Sequence, residues 1–178
     1  MQQSVIIAGF GGQGVILAGK ILAQAAMNHG LEVTWLPSYG PEMRGGTANC
    51  TVVMADETVG SPIVDDPSAV IAMNLPSLDK FEGIVAQGGR IILNASLIDR
   101  DVERSDLKVT KLLLNDLSAK AGSSKAINMV ALGAYVKATG VIPIDVVKET
   151  MREMLEKGGK GRFVEANAKA LDLGYDAA

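Results

Sequence analysis

The sequence predicts an α/β chain: a single open sheet, mostly parallel, with an antiparallel edge element and helices on both faces. Three observations carry that prediction. The runs Val5-Ile6-Ile7-Ala8, Ala69-Val70-Ile71-Ala72-Met73 and Arg90-Ile91-Ile92-Leu93 are short, apolar and rich in β-branched residues, as strands buried on both faces are. Stretches of helical period follow several of them. At the junction of the first strand and first helix stands Gly9-Phe10-Gly11-Gly12-Gln13-Gly14, a glycine run suited to a sharp turn.

Taken in order, Val5 to Ala8 reads as a strand, and Val15, Ala18, Ile21, Leu22, Ala25 and Ala26 keep the apolar spacing of a helix that closes at Asn28-His29-Gly30. Glu32 to Leu36 is the second strand. Thr47 to Met54 alternates as a third, and Thr58 to Val64 after the turn at Asp56-Glu57 reads as a returning edge strand. Ala69 to Met73 leads to Asn74 and a short helix over Leu75–Phe81. Arg90 to Leu93 exits through Asn94-Ala95-Ser96, and these polar exits are expected to gather on one edge with the glycine turn. The charged stretch Asp99–Asp106 reads as solvated. Lys108 to Leu114 is the last strand, followed by a short helix ending at Gly122. Ile127, Val130, Ala131 and Ala134 mark a helix ending by Gly140, and Pro143 opens another with Val147, Met151, Met154 and Leu155 on its apolar face. Gly158–Arg162 reads as a connector, and a final helix runs from about Phe163 to Leu173, ending at Gly174.

Gly9, Gly11 and Gly14 satisfy G-x-G-x-x-G in strand-turn-helix context, which makes the sheet Rossmann-like and leaves free N–H groups at a helix start. A dinucleotide reader also needs an acidic residue at the end of its second strand. Here that end runs into Pro37-Ser38-Tyr39-Gly40-Pro41-Glu42, and Glu32 lies at the strand's beginning. The segment Tyr39-Gly40-Pro41-Glu42-Met43-Arg44-Gly45-Gly46 has no helical period and gathers a phenol, a carboxylate and a guanidinium. Arg44 there suits a carboxylate or a phosphate, and the glycines allow close backbone approach.

Composition narrows the function classes. The 178 residues are 48% hydrophobic, enough for one domain spanning 1–178, with no dividing linker. A net charge of −3 and scattered basic residues give no footprint for nucleic acid. The apolar start lacks a basic leader and is broken by glycines, so no membrane span is expected and the protein is expected in the cytoplasm. Cys50, the one cysteine, reads as a buried inert thiol and cannot by itself hold an iron–sulfur cluster. His29, the one histidine, reads as structural near a helix end.

With these pieces in order, the chain resembles the gamma subunit of the 2-oxoacid:ferredoxin oxidoreductases, the POR-type domain. The resemblance covers nearly the whole chain. It rests on Gly9–Val15, Tyr39–Gly46, Ser61-Pro62 and Asn128-Met129-Val130-Ala131-Leu132-Gly133-Ala134, with Lys111-Leu112-Leu113-Leu114 departing where many relatives carry a proline. It implies a non-autonomous subunit of a complex that converts a 2-oxoacid and coenzyme A to acyl-CoA and carbon dioxide and passes electrons to ferredoxin. The 2-oxoacid is expected to be 2-oxoglutarate. Thiamine diphosphate, magnesium and iron–sulfur clusters would sit on the partners, namely alpha and beta subunits and a ferredoxin-like delta subunit or domain, with coenzyme A as co-substrate. No cofactor is expected to be tightly bound to this chain, and no catalytic or metal-binding residue is assigned to it. The expected cofactor-binding or interface residues are Gly9, Gly11, Gly12, Gln13, Gly14, Tyr39, Gly40, Pro41, Glu42, Arg44, Gly45 and Gly46. The competing readings are a free-standing NAD(P)-binding oxidoreductase and a purely structural scaffold subunit.

Overall fold

The computed structural model describes residues 1–38 and 47–178. In chain order the elements are β1 (Gln2–Phe10), α1 (Val15–Asn28), β2 (Glu32–Ser38), β3 (Thr47–Ala55), β4 (Ala69–Ala72), α2 (Leu75–Phe81), β5 (Arg90–Asn94), β6 (Lys108–Leu112), α3 (Leu114–Lys120), α4 (Ile127–Thr139), α5 (Ile144–Lys157) and α6 (Val164–Ala177). The strands form one sheet in the order β2-β3-β1-β4-β5-β6. β1, β4, β5 and β6 are mutually parallel. β3 runs against both of its neighbours, pairing Ile6 with Thr51 on one side and Leu36 with Thr51 on the other. The antiparallel element is thus the β2–β3 end of the sheet.

The pleat divides the core in two, because successive residues of a strand face opposite sides. Val5 and Ile7 of β1 join Cys50, Val52, Met54, Ile71 and Ile92 beneath the helical layer that includes α1, α4, α5 and α6. Ile6 and Ala8 join Val70, Ala72, Ile91 and Leu93 on the other face, under Leu78 and Phe81 of α2 together with Ile98 and Leu107. α1 therefore carries the chain from β1 to β2 across one face, while α2 carries it from β4 to β5 across the other. The two connections diverge between β1 and β4, and in open α/β sheets the crevice at the carboxyl ends of such a strand pair is the ordinary place for a ligand or partner.

Local chemistry explains the boundaries. Gly14, at φ 73°, turns the chain into α1, and Asn74 caps α2 by accepting a hydrogen bond from the Ser77 amide at 2.9 Å. Gly140, at φ 61°, ends α4 in the left-handed conformation that glycine takes without strain. α5 is sharply two-sided, with Val147, Met151 and Leu155 buried and Asp145, Glu149, Arg152, Glu153 and Glu156 exposed. Among the described residues no helix is long and apolar enough to cross a membrane.

Three sequence expectations need correction. Thr58–Val64 forms no strand and is irregular chain between β3 and β4. Gly174 does not end the last helix, which continues to Ala177. A Cβ on Gly174 would fall on the Val130 carbonyl oxygen of α4, and one on Gly133 would fall on the Leu171 carbonyl oxygen of α6, so both glycines serve the close crossing of these helices. Asp99–Asp106 is not simply solvated, because Arg100 pairs with the buried Glu82 at 2.9 Å and the backbone amides of Glu103 and Arg104 donate to the same carboxylate. Gly158–Arg162 is the connector the sequence implies, closing α5 and entering a 3₁₀ turn over Gly161–Phe163.

Candidate functional site

The carboxyl edge of the sheet brings together the exits of β1, β4, β5 and β6, as the polar residues at those exits imply. The Met73 amide donates to the Ala8 carbonyl at 2.9 Å, tying the β4 exit to β1. Asn94, fully buried, donates from Nδ2 to the Met73 carbonyl and to Asn115 Oδ1, each at 3.1 Å, while its Oδ1 accepts from the Ser96 amide at 3.2 Å. Ser96 Oγ in turn accepts from the Asn115 amide at 3.2 Å. One asparagine thus ties three strand exits into a rigid rim.

The glycine turn sits at the middle of this rim. Gln13 Oε1 accepts from the Phe10 amide at 2.7 Å, and the Gln13 amide donates to the Phe10 carbonyl at 3.2 Å. A Cβ on Gly9 would lie 2.5 Å from Gln13 Oε1 and 2.8 Å from Met73 Cβ, so only glycine allows β1, the Gln13 carboxamide and the β4 exit to meet. On the far side of the turn, Asn128 in the first turn of α4 donates from Nδ2 to the Gly14 carbonyl at 3.1 Å. A Cβ on Gly14 would collide with that same amide. Gly11 and Gly12 are exposed at the tip, Gly12 with φ 91°.

This arrangement disfavours a dinucleotide. The Gln13 carboxamide oxygen takes the Phe10 N–H, a donor that a phosphate would otherwise use, and its partial negative charge opposes an incoming phosphate oxygen. Glu32 pairs in register with Ala55, itself opposite Gln2, which places it at the amino edge, about 20 Å along β2 from the rim. The cavity over the turn measures about 240 Å³ and is lined by Phe10, Gly11, Gly12, Val15, Ile16 and Ala48. That is below the usual size of roughly 300–1,000 Å³ for small-molecule pockets, and its walls are apolar. Such a surface suits contact with another protein.

Of the expected site residues, Gly9, Gly11, Gly12, Gln13 and Gly14 therefore come together on the rim. Tyr39, Gly40, Pro41, Glu42, Arg44, Gly45 and Gly46 lie outside the described residues; the flanking Ser38 and Thr47 both stand at the carboxyl edge. Sequence reasoning missed Asn128 and Asn115 as parts of the rim. The signal for Asn128 is a polar residue opening the otherwise apolar run Ile127–Val136, buried yet helical. His29 is exposed at the end of α1, and its backbone amide closes that helix on Ala25 at 3.0 Å.

Against this geometry the comparisons with known proteins can be set. The family model for pyruvate ferredoxin/flavodoxin oxidoreductase matches residues 4–177. The chain belongs to this family. It is 39% identical over 174 residues to the ketoisovalerate oxidoreductase subunit VorA of Methanothermobacter marburgensis, a match covering 97% of this chain and 36% of VorA. The chain thus spans little more than a third of that relative. The 2-oxoglutarate synthase subunit KorC of the same organism is 32% identical over 173 residues, covering 93% of each. Among solved structures, the gamma subunit of a keto/oxoacid ferredoxin oxidoreductase from Geobacter sulfurreducens superposes with a TM-score of 0.85 at 29% identity, over 99% of this chain and 98% of that one.

Family membership raises the question of cofactors, and the residues of this chain do not fit a resident iron–sulfur cluster. Cys50 is fully buried, its thiol donates to the Val15 carbonyl at 3.5 Å, and burial pushes its pKa up to about 12, with Trp35 and the Gly19 backbone offsetting only part of the rise. A thiol held protonated among apolar side chains is unsuited to metal ligation, which requires the thiolate.

Proposed function

We propose that this chain acts as the gamma component of a 2-oxoacid:ferredoxin oxidoreductase, in which a 2-oxoacid and coenzyme A become acyl-CoA and carbon dioxide and ferredoxin takes the electrons. Thiamine diphosphate with magnesium, and the iron–sulfur clusters, belong in this reading to alpha, beta and ferredoxin-like delta components. The observation that carries it is the family match over residues 4–177, joined to reciprocal coverage of 93% with KorC. The rim supports it from the physical side, since it is held by hydrogen bonds among the strand exits and apolar at its cavity.

The role assigned to this chain is to complete and support an active site built on its partners. The Gly9–Gly14 turn and the Tyr39–Gly46 segment face those partners, and Arg44 meets either a partner carboxylate or an anionic group of coenzyme A. 2-Oxoglutarate is the substrate favoured by the coverage of KorC, and the 39% identity to VorA favours a branched-chain 2-oxoacid as the second reading. The side chains that choose between them belong to the partners.

The test is reconstitution of the complex and measurement of coenzyme-A-dependent reduction of ferredoxin with 2-oxoglutarate and with 3-methyl-2-oxobutanoate. Turnover is expected only when this chain is present, and Arg44→Ala is expected to raise the KM for coenzyme A or to weaken assembly by about tenfold, the effect of losing a charge-assisted pair. Full turnover without this chain sinks the proposal. Unchanged assembly and an unchanged KM with Arg44→Ala remove Arg44 from it.

A further inference from the structure

We draw no further inference here: the strongest candidate, the polar groove between α1 and α5 lined by Lys20, Gln24, Asn28, Thr150, Glu153 and Lys157, is bounded by side chains that already pair with one another, Asn28 with Thr150 at 3.0 Å and Lys157 with Glu153 at 3.6 Å, and nothing in the structure shows what covers it.

Discussion

Gly14 and Asn128 stand 114 residues apart and fit each other as one part. Gly14 has a positive φ that other residues adopt at a cost of about 1–2 kcal/mol, and its missing Cβ leaves the space that the Asn128 amide fills. Gly14→Ala is expected to destabilise the chain by about 2–4 kcal/mol, the backbone strain adding to the steric collision. Asn128→Ala, which removes one hydrogen bond and leaves the Gly14 carbonyl without its partner, is expected to cost about 1–2 kcal/mol. The double variant is expected to lose less than the sum, because the second substitution removes the group the new methyl strikes. Urea denaturation of all four proteins reads that coupling directly. Cys50 yields a second prediction. Its folded pKa of about 12 lies above the value of 9.0 for a free thiol, so the protonated fold is favoured. The thiol's contribution is fully present below pH 9 and is lost as pH rises towards 12. Wild type is therefore expected to lose stability more steeply than Cys50→Ala across that window, by up to about 1.4 kcal/mol per pH unit. Iodoacetamide is expected to label Cys50 at pH 8 only after unfolding. Burial of that thiol was legible in its apolar neighbours, whereas the meeting of Gly14 with Asn128 was not, since nothing local to either residue names the other.

Elements formed by local pattern are legible in the chain, and elements decided by neighbours are not. The runs Val5–Ala8, Ala69–Met73 and Arg90–Leu93 each lie in a strand, and Asn74, read as a strand exit, also caps the helix that follows. Thr58–Val64 has strand-like residues, but Gly60 and Pro62 interrupt it, and β3, which precedes it, is already paired on both sides by β2 and β1. A returning strand would have to reach past β3 to the outer edge of β2, and sequence pattern does not reveal which neighbours are taken. Gly174 misled for a similar reason. Glycine near a helix end is most often a terminator, yet here the approach of α4 requires it inside α6. Gly174→Ala is expected to gain about 1 kcal/mol of helix propensity and to lose more through the clash with the Val130 carbonyl, a backbone atom that cannot rotate aside. Thermal unfolding is expected to show a net fall of several degrees. Glu82, which accepts two backbone amides and pairs with Arg100, straps the chain after β5 against the helix layer of its face. Glu82→Ala is expected to cost about 2–4 kcal/mol by leaving those donors unpaired, measured by denaturant midpoint.

At the scale of the whole molecule the carboxyl edge and the outer face of α5 differ in what they offer. Among the described residues the strand exits at the carboxyl edge carry no charge and show the exposed apolar side chains Phe10, Leu36, Leu97 and Leu113, while α5 presents both signs of charge to solvent. Charge reversal on the exposed face of α5, as in Arg152→Glu with Glu156→Lys, is therefore expected to leave affinity for partner chains within about twofold, an exposed charged face contributing little to such contacts. The fold class could be read from the order of strands and helices, and the glycine turn of the site from its spacing. The rest of the site could not, because a rim is made by topology: Ala8, Met73, Asn94 and Asn115 become neighbours only once four strands lie side by side.

That same topology sets a schedule for the chain as it is made. β1 emerges first, yet the strands that flank it are β3 and β4, and β4 ends at Ala72. At roughly 5–20 residues per second, about 3–12 seconds pass between synthesis of β1 and arrival of its last neighbour. Throughout that interval Val5, Ile6, Ile7 and Ala8, each at most 4% exposed in the finished fold, have no complete sheet to enter. The centre of the sheet is thus a segment whose burial waits on chain made well after it.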